Sequence, residues 1–547
     1  MRTSWMLLVL FSFLALAGCA EEESASGDQL VAAEDRVKSD DKADSSAEAV
    51  FLNFEFDAEM LTSSSWNPSS QIEDQLLYTI GHLNGERAVG RLDKVQLTNV
   101  KSSSENGKTR IKYHAVLPVA WGKKDRVPTA YILKLPIDMT SSAVTAFTEK
   151  YAHSCVDYGA HDVTSGSMWY YYRPNNSGCA LAETDIVKTE AKVTVSAVGT
   201  TGKYPEYHRV WEDEVLQVVA IFGKYEDGAT TTADAGISAY NSFVSVLKKK
   251  LTPYALVTEP AALPTTVGVG QPSITFEANL PDGKRVMVYV MLVDNIRTTS
   301  ADFNTRYETL SQRADLIMYN GHAGLGANVR ALAQKGDWVT GQYVIAFLNG
   351  CDSYTYIDSS LNDAHKAVNP TDDPDGIKYL DIINNAMPAF FSSMDDASLA
   401  LVDGLMAYEN PRTYEQIFKG FDSSQVVIVS GEQDNEFFPG FPGDGAVPDG
   451  AWAGLNESGT VVAEEEVRFE TPSLAVGAYK FDTTGTGDAD LYVRVGEAPT
   501  SDNYDCRPYR AGTKESCIIE LTNAAPIHVM VRGYKAQSEF KLVGAKK

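Results

Sequence analysis

The spacing of apolar residues changes twice along the chain. In residues 49–255 it is mixed: IEDQLLYTIGHLNG (72–85) repeats at helical spacing, whereas TRIKYHAVLPVAWG (109–122), AYILKLPI (130–137) and EVLQVVAIFGKY (214–225) predict strands. Ile237, Tyr240, Val244, Leu247 and Leu251 recur every three or four residues, on one face of a helix. Lys248 to Lys250 complement its C-terminal dipole, and Pro253 stops it. This first region is expected to be α+β, and none of its motifs points to chemistry.

After a linker at 256–268 the strands lose their alternation. RVMVYVMLVDN (285–295), ADLIMYNGH (314–322), QYVIAFLNGCDS (342–353) and QVVIVSGEQDN (425–435) are apolar throughout. Between them lie amphipathic helices: one with Phe303, Tyr307 and Leu310 on one face, and others at 327–336, 377–387 and 395–407. Strands buried on both sides and separated by helices predict an α/β domain over 269–438, a mainly parallel sheet in an αβα arrangement. Residues 439–460 are rich in Gly and Pro and read as a linker. From 461 to 547 short alternating strands between turns predict an all-β sandwich, so the chain is multidomain.

The first residues follow another rule. Arg2 precedes an apolar run from Met6 to Ala17, too short to span a bilayer, so residues 1–18 read as an export signal peptide. Leu16-Ala17-Gly18-Cys19 resembles the bacterial lipobox. That resemblance implies cleavage before Cys19, lipidation of its thiol and membrane attachment through the lipid. Ala20, in place of Asp, implies an outer-membrane lipoprotein facing the periplasm or the cell surface. Residues 19–48 carry the lipidated cysteine and an acidic Ser/Ala-rich stretch without aromatics, which reads as a tether.

Across its 547 residues the formal charge is −26, which argues against nucleic acid and anionic lipid surfaces as partners. Export permits disulfides. With Cys19 assigned to lipid, Cys506 and Cys517 form a natural pair within one β-rich module, and Cys155 and Cys179 bracket a loop that a bond would staple. Cys351 is left over. A leftover cysteine in an exported protein is either an inert buried thiol or a reactive one.

The ends of the apolar strands carry the polar residues: Asp294-Asn295, Asn320-Gly321-His322, Asn349-Gly350-Cys351-Asp352 and Ser430-Gly431-Glu432-Gln433. Sites in open α/β sheets gather at such carboxyl ends. His322 and Cys351 end consecutive strands, and neighbouring strands lie about 5 Å apart, so the two side chains can meet. A thiolate with an imidazole to carry its proton is the minimum equipment for acyl transfer. The competing reading has His322 in a turn and Cys351 packed beneath a loop.

YNGHAGLG (319–326) and FLNGCDS (347–353) resemble the histidine and nucleophile segments of the caspase-like superfamily of cysteine peptidases, which includes caspases, legumain, clostripain, gingipains and separase. The resemblance covers about residues 280–435. It implies catalysis by Cys351 and His322 on a protein or peptide substrate, with backbone N–H groups of Ala323 and Cys351 holding the oxyanion. The family usually has glycine after the histidine, where this chain has Ala323. Asp352, Tyr354 and Tyr356 are expected to border the site or to lie solvated at its edge.

Other chemistry is poorly supported. Asp372, Asp373 and Asp375 offer oxygen atoms to Ca²⁺ without EF-hand spacing, and read first as a solvated acidic turn. There is no His-Glu-x-x-His pattern, no Gly-x-Ser-x-Gly elbow (SGSMW at 165–169 lacks the last glycine) and no nucleotide-binding glycine motif, so neither cofactor nor metal is expected.

GDADLYVRVGEAPT (487–500), YDCRPYRAG (504–512), ESC (515–517) and VMVRGYKAQSEFKLV (529–543) resemble the bacterial pre-peptidase C-terminal domain. Such domains accompany secreted peptidases, and some bind polymers or Ca²⁺, for which Asp488 and Asp490 are the oxygen donors to consider. Two functions follow: a lipid-anchored cysteine peptidase, or a non-catalytic surface protein that uses a caspase-like scaffold and a β-sandwich for binding.

Overall fold

The computed structural model describes residues 49–160, 163–196, 202–431, 437, 452, 454–471, 474, 477–508, 510–521 and 525–547. The signal peptide, Cys19, the tether, and residues 439–451 and 453 of the linker lie outside them. The chain divides into two compact units, the first ending at Phe437. No helix among the described residues is long and apolar enough to cross a membrane.

The described residues of the first unit form two sheets. In the N-terminal one, β1 (Val50–Thr62), β2 (Ala88–Gly90), β3 (Gln96–Glu105), β4 (Lys108–Trp121), β5 (Ala130–Pro136) and β6 (Ile186–Val195) run in the order β2-β4-β1-β6-β5, with β3 also on β4. The alternation of β1 sets its faces: Leu52, Phe54, Phe56, Ala58 and Met60 are buried, and Glu55 and Asp57 are exposed. Helices Pro68–Leu76, Tyr78–Asn84 and Ser141–Tyr151 belong to this layer, with Tyr78 edge-on to Phe147. Cys155 and Cys179 are joined by a disulfide.

The second sheet comprises β7 (Val215–Gly223), β8 (Val257–Glu259), β9 (Ser273–Asn279), β10 (Arg285–Val293), β11 (Leu316–Asn320), β12 (Val344–Asn349), β13 (Leu380–Asn385) and β14 (Val427–Gly431), in the order β14-β13-β12-β11-β7-β10-β9-β8. β13, β12, β11, β7 and β10 are parallel, and β14, β9 and β8 pair antiparallel. Helices Ala235–Leu251 and Met394–Leu405 pack together, with Tyr240 and Phe243 against Phe222 of β7. The neighbouring residues Val219 and Ile221 join a different core, shared with helices Ala301–Ser311, Ala327–Lys335 and Ser360–Val368 and with the N-terminal sheet.

Three expectations need correction. β7 lies on the N-terminal side of the boundary expected at 255, yet it sits in the middle of the second sheet. Its nine residues are all buried, the mark of a strand covered on both faces. Residues 377–387, expected to be helical, contain strand β13. Its short run Leu380-Asp-Ile-Ile fits either period, and burial between β12 and β14 selects the strand. β14, expected to be parallel, is antiparallel because the chain re-enters the sheet at the end where β13 left it, pairing Val427 with Asn385.

The second unit contains β15 (Leu455–Val461), β16 (Glu466–Glu470), β17 (Gly477–Thr486), β18 (Ala489–Val495), β19 (Glu515–Leu521), β20 (Ile527–Gly533) and β21 (Ser538–Lys546). They form antiparallel sheets β15-β21-β17-β19 and β16-β20-β18, which share one apolar core.

Candidate active site

Asn320 and Asn349 are register partners at the ends of β11 and β12, so His322 and Cys351 each stand two residues beyond a matched pair. Gly321 N donates to the carbonyl of Asn349 at 3.2 Å. The peptides then run in close contact: a Cβ on Gly350 would lie 3.0 Å from both Ala323 N and Gly321 O. A larger residue there would have to push the histidine segment away by a few tenths of an ångström.

The histidine is held from several sides. Its Nε2 lies 3.0 Å from the carbonyl oxygen of Tyr225, just beyond β7. A ring that donates from Nε2 keeps Nδ1 as its basic nitrogen. The rings of Tyr225 and Phe391 pack on it at 5.3 and 5.2 Å. Its carbonyl accepts from the hydroxyl of Tyr319 at 3.1 Å, and Tyr319 in turn accepts from Nδ2 of Asn328 at 3.0 Å. Burial pushes the Tyr319 phenol well above its ordinary pKa, which keeps it a donor.

Cys351 is 6% exposed and forms no disulfide; its Sγ donates to the carbonyl of Ala389 at 3.6 Å. The segment after β13 therefore lies over both residues, with Ala389 at the thiol and Phe391 at the imidazole. Asp352 follows in the left-handed region, φ 48° and ψ 30°. Its N–H donates to Met387 O at 3.1 Å, and Asn84 Nδ2 donates to its Oδ1 at 2.8 Å.

Beneath the pair runs a buried amide ladder. Asn349 donates to Asn320 Oδ1 at 2.8 Å, Asn385 donates to Asn349 Oδ1 at 2.8 Å, and Ser398 donates to Asn320 Oδ1 at 2.9 Å. Uncharged amides fix the strand ends without placing a charge under the thiol. Ala323 adopts φ −67° and ψ −29°, open to any L residue, so alanine there imposes no strain. The left-handed positions fall on Gly324 and Gly326.

Asp352 and Tyr354 are not solvated edge residues, whereas Tyr356 is half-buried. Asp352 and Tyr354 are buried, and Tyr356 lines a cavity of about 10 Å³ with Tyr319, Asn328 and Gly350. The acidic turn at 372–375 is likewise only partly open. Asp373 is buried and accepts from Ile377 N at 2.8 Å, while Asp372 pairs with Lys378 at 3.1 Å. Among the described residues no group of three or more His, Cys, Asp and Glu side chains is placed to hold a metal.

In the second unit a disulfide joins Cys506 and Cys517, and Asp490 pairs with Arg507 at 2.7 Å. Residues 469–533 match the family model of the bacterial pre-peptidase C-terminal domain. The chain carries that domain. Within it, the carboxylates considered for Ca²⁺ are engaged with the protein itself. Beyond the Asp490–Arg507 pair, Asp488 Oδ1 accepts from Gly512 N at 2.7 Å.

Relatives of the pre-peptidase C-terminal domain region include the neutral protease of Vibrio proteolyticus, 50% identical over 64 residues, which is 12% of this chain and 10% of that protein. The zinc metalloprotease of Helicobacter pylori is 54% identical over 54 residues, 10% of this chain and 21% of that protein. The chain thus spans about a tenth and a fifth of the length of these two relatives. Among solved structures, the solution structure of vEP C-ter 100 is 33% identical, covers 16% of this chain and 88% of that one, and has a TM-score of 0.15.

The sequence marks His322 and Cys351 as candidates and gives no mark to Tyr225, Asn385 or the Ala389–Phe391 segment. Tyr225 follows an apolar strand, the same signal that marks His322, but that strand falls on the far side of the expected domain boundary. Asn385 falls inside an expected helix.

Proposed function

We propose that the chain is an exported cysteine peptidase, anchored to the outer membrane by lipid on Cys19, with a caspase-like central domain whose Cys351 and His322 cleave peptide bonds. The observation that carries this reading is the placement of His322 and Cys351 two residues beyond register-matched asparagines at the carboxyl ends of adjacent parallel strands. The protease relatives of the pre-peptidase C-terminal domain support an exported peptidase and a protein substrate.

In the proposed reaction Nδ1 of His322 takes the thiol proton, with Nε2 held on the Tyr225 carbonyl. The Cys351 thiolate adds to the scissile carbonyl carbon, and the N–H groups of Ala323 and Cys351 hold the oxyanion; one such donor is worth about 10²–10³ in rate. The C–N bond breaks as the leaving amine takes the proton from Nδ1. Water, deprotonated by Nδ1, then adds to the thioester carbonyl and displaces Sγ, which restores the pair.

The burial of Cys351 beneath Ala389 favours the second reading, a non-catalytic surface protein on the same scaffold. The deciding experiment is the rate of iodoacetamide alkylation at Cys351 against pH in the full chain, read by peptide mass, with His322→Ala beside it. Rapid labelling well below the free-thiol pKa of about 8.5, lost in the variant, supports the peptidase. Labelling that requires denaturation sinks it in favour of the scaffold.

A further inference from the structure

The N-terminal region reaches the residue beside Cys351 through the side chain of Asn84. Asn84 ends helix Tyr78–Asn84, is buried, and divides its amide N–H groups between Ala88 O at 3.1 Å and Asp352 Oδ1 at 2.8 Å. Asp352 adjoins Cys351 and is fully buried in a left-handed conformation, uncommon outside glycine although aspartate adopts it more readily than most. Its N–H is held by Met387 O, and its carbonyl accepts from Thr355 N at 2.9 Å. Its side chain is tied to Asn84, 268 positions away in the chain.

Further contacts seat the same loop on the same surface. Thr355 Oγ1 donates to Gly90 O at 2.7 Å, and the Arg91 guanidinium lies 5.0 Å from the ring centre of Tyr354. These lie three and four residues past Cys351, whereas the Asn84 tie acts on the adjoining residue.

We infer that Asn84 is a positioning residue for Cys351: through Asp352 it fixes the turn that aims the thiol and its backbone N–H, so the N-terminal sheet completes the site of the second one. The inference rests on the cysteine chemistry proposed above. It gives that region a task that no motif in its sequence disclosed.

The test compares alkylation of Cys351 against pH in the full chain and in three variants. Asn84→Ala is expected to slow labelling at pH 6 by about tenfold or more, within the hundredfold that a misplacement of about 1 Å can cost, and to move the pH profile upward. Asn84→Leu, which fills the same volume, carries the same expectation if the alanine variant does not fold. Thr355→Val removes a neighbouring tie between the sheets and is expected to lower thermal stability while leaving the profile in place. An Asn84→Ala profile equal to that of the unmodified chain overturns the inference, as does a Thr355→Val shift of the same size. If the unmodified chain labels slowly at every pH, the peptidase reading and this inference fall together; rapid labelling with no Asn84 effect removes only this one.

Discussion

Asn349 donates from its side-chain amide to Oδ1 of Asn320 at 2.8 Å, and the two are register partners at the last positions of adjacent parallel strands. Asn385 extends the row by donating to Asn349. Asn349→Leu keeps the volume but strips partners from both neighbours. The expected cost is about 1–3 kcal/mol for the two hydrogen bonds lost, read as a lowered denaturant midpoint of the unit ending at Phe437. Cys351 alkylation should slow as well, because the peptides carrying His322 and Cys351 start from this row.

The Ala389–Phe391 segment shields the thiol and packs on the imidazole. Phe391→Ala opens space beside His322. It is expected to speed alkylation of Cys351 by small neutral reagents severalfold, and a rate unchanged or lower would show that this ring orders the pair and does not screen it.

His82 supplies a pH dependence away from the site. Its Nε2 accepts from Lys134 N at 3.2 Å and its Nδ1 lies 3.1 Å from the Tyr131 hydroxyl. Burial, above all, pulls its pKa down to about 3. The unfolded chain binds a proton near pH 6.5 that the folded chain refuses. This contribution is therefore complete above about pH 6.5 and is lost on acidification toward pH 3, at about 1.4 kcal/mol per pH unit. His82→Gln should be flatter than the unmodified chain over that window in denaturant titrations at stepped pH.

Lys203 and Asp381 form an ion pair of 2.9 Å with side chains 3% and 0% exposed. Tyr343 donates to Asp381 at 2.7 Å, and Tyr414 donates to the same oxygen at 2.5 Å. Lys203→Met leaves the carboxylate buried without its cation, at an expected cost of about 3–5 kcal/mol, measurable by denaturant unfolding. Asp381 begins its pairing in β13 at the end of the sheet away from Cys351, so the alkylation rate of the folded variant should hold.

Much of the site could be read from runs of apolar residues that stop at polar ones. This rule located the strand ends bearing His322 and Cys351 because a parallel strand buried on both faces must be apolar until it emerges. The same rule failed at β7, where the ending Gly-Lys-Tyr offers a main-chain carbonyl as its contribution, and a carbonyl has no signature in a sequence. β13 escaped because six residues are too few to separate a period of 2 from one of 3.6. The tie from Asn84 to Asp352 was invisible, since nothing local in either segment marks a contact across 268 positions.

The reversed direction of β14 has a mechanical consequence. Its last residue, Gly431, lies opposite Asp381, at the end of the sheet remote from the thiol. Lys203 grips the carbonyl of Gly431, and Glu206 accepts from the N–H of Phe437 at 2.9 Å. Tension arriving along the polypeptide from beyond Phe437 is therefore borne by the Lys203–Glu206 segment and by shear along the β13–β14 edge. The loop carrying Cys351 stands at the opposite end of the sheet, away from the point where traction on the tail first acts.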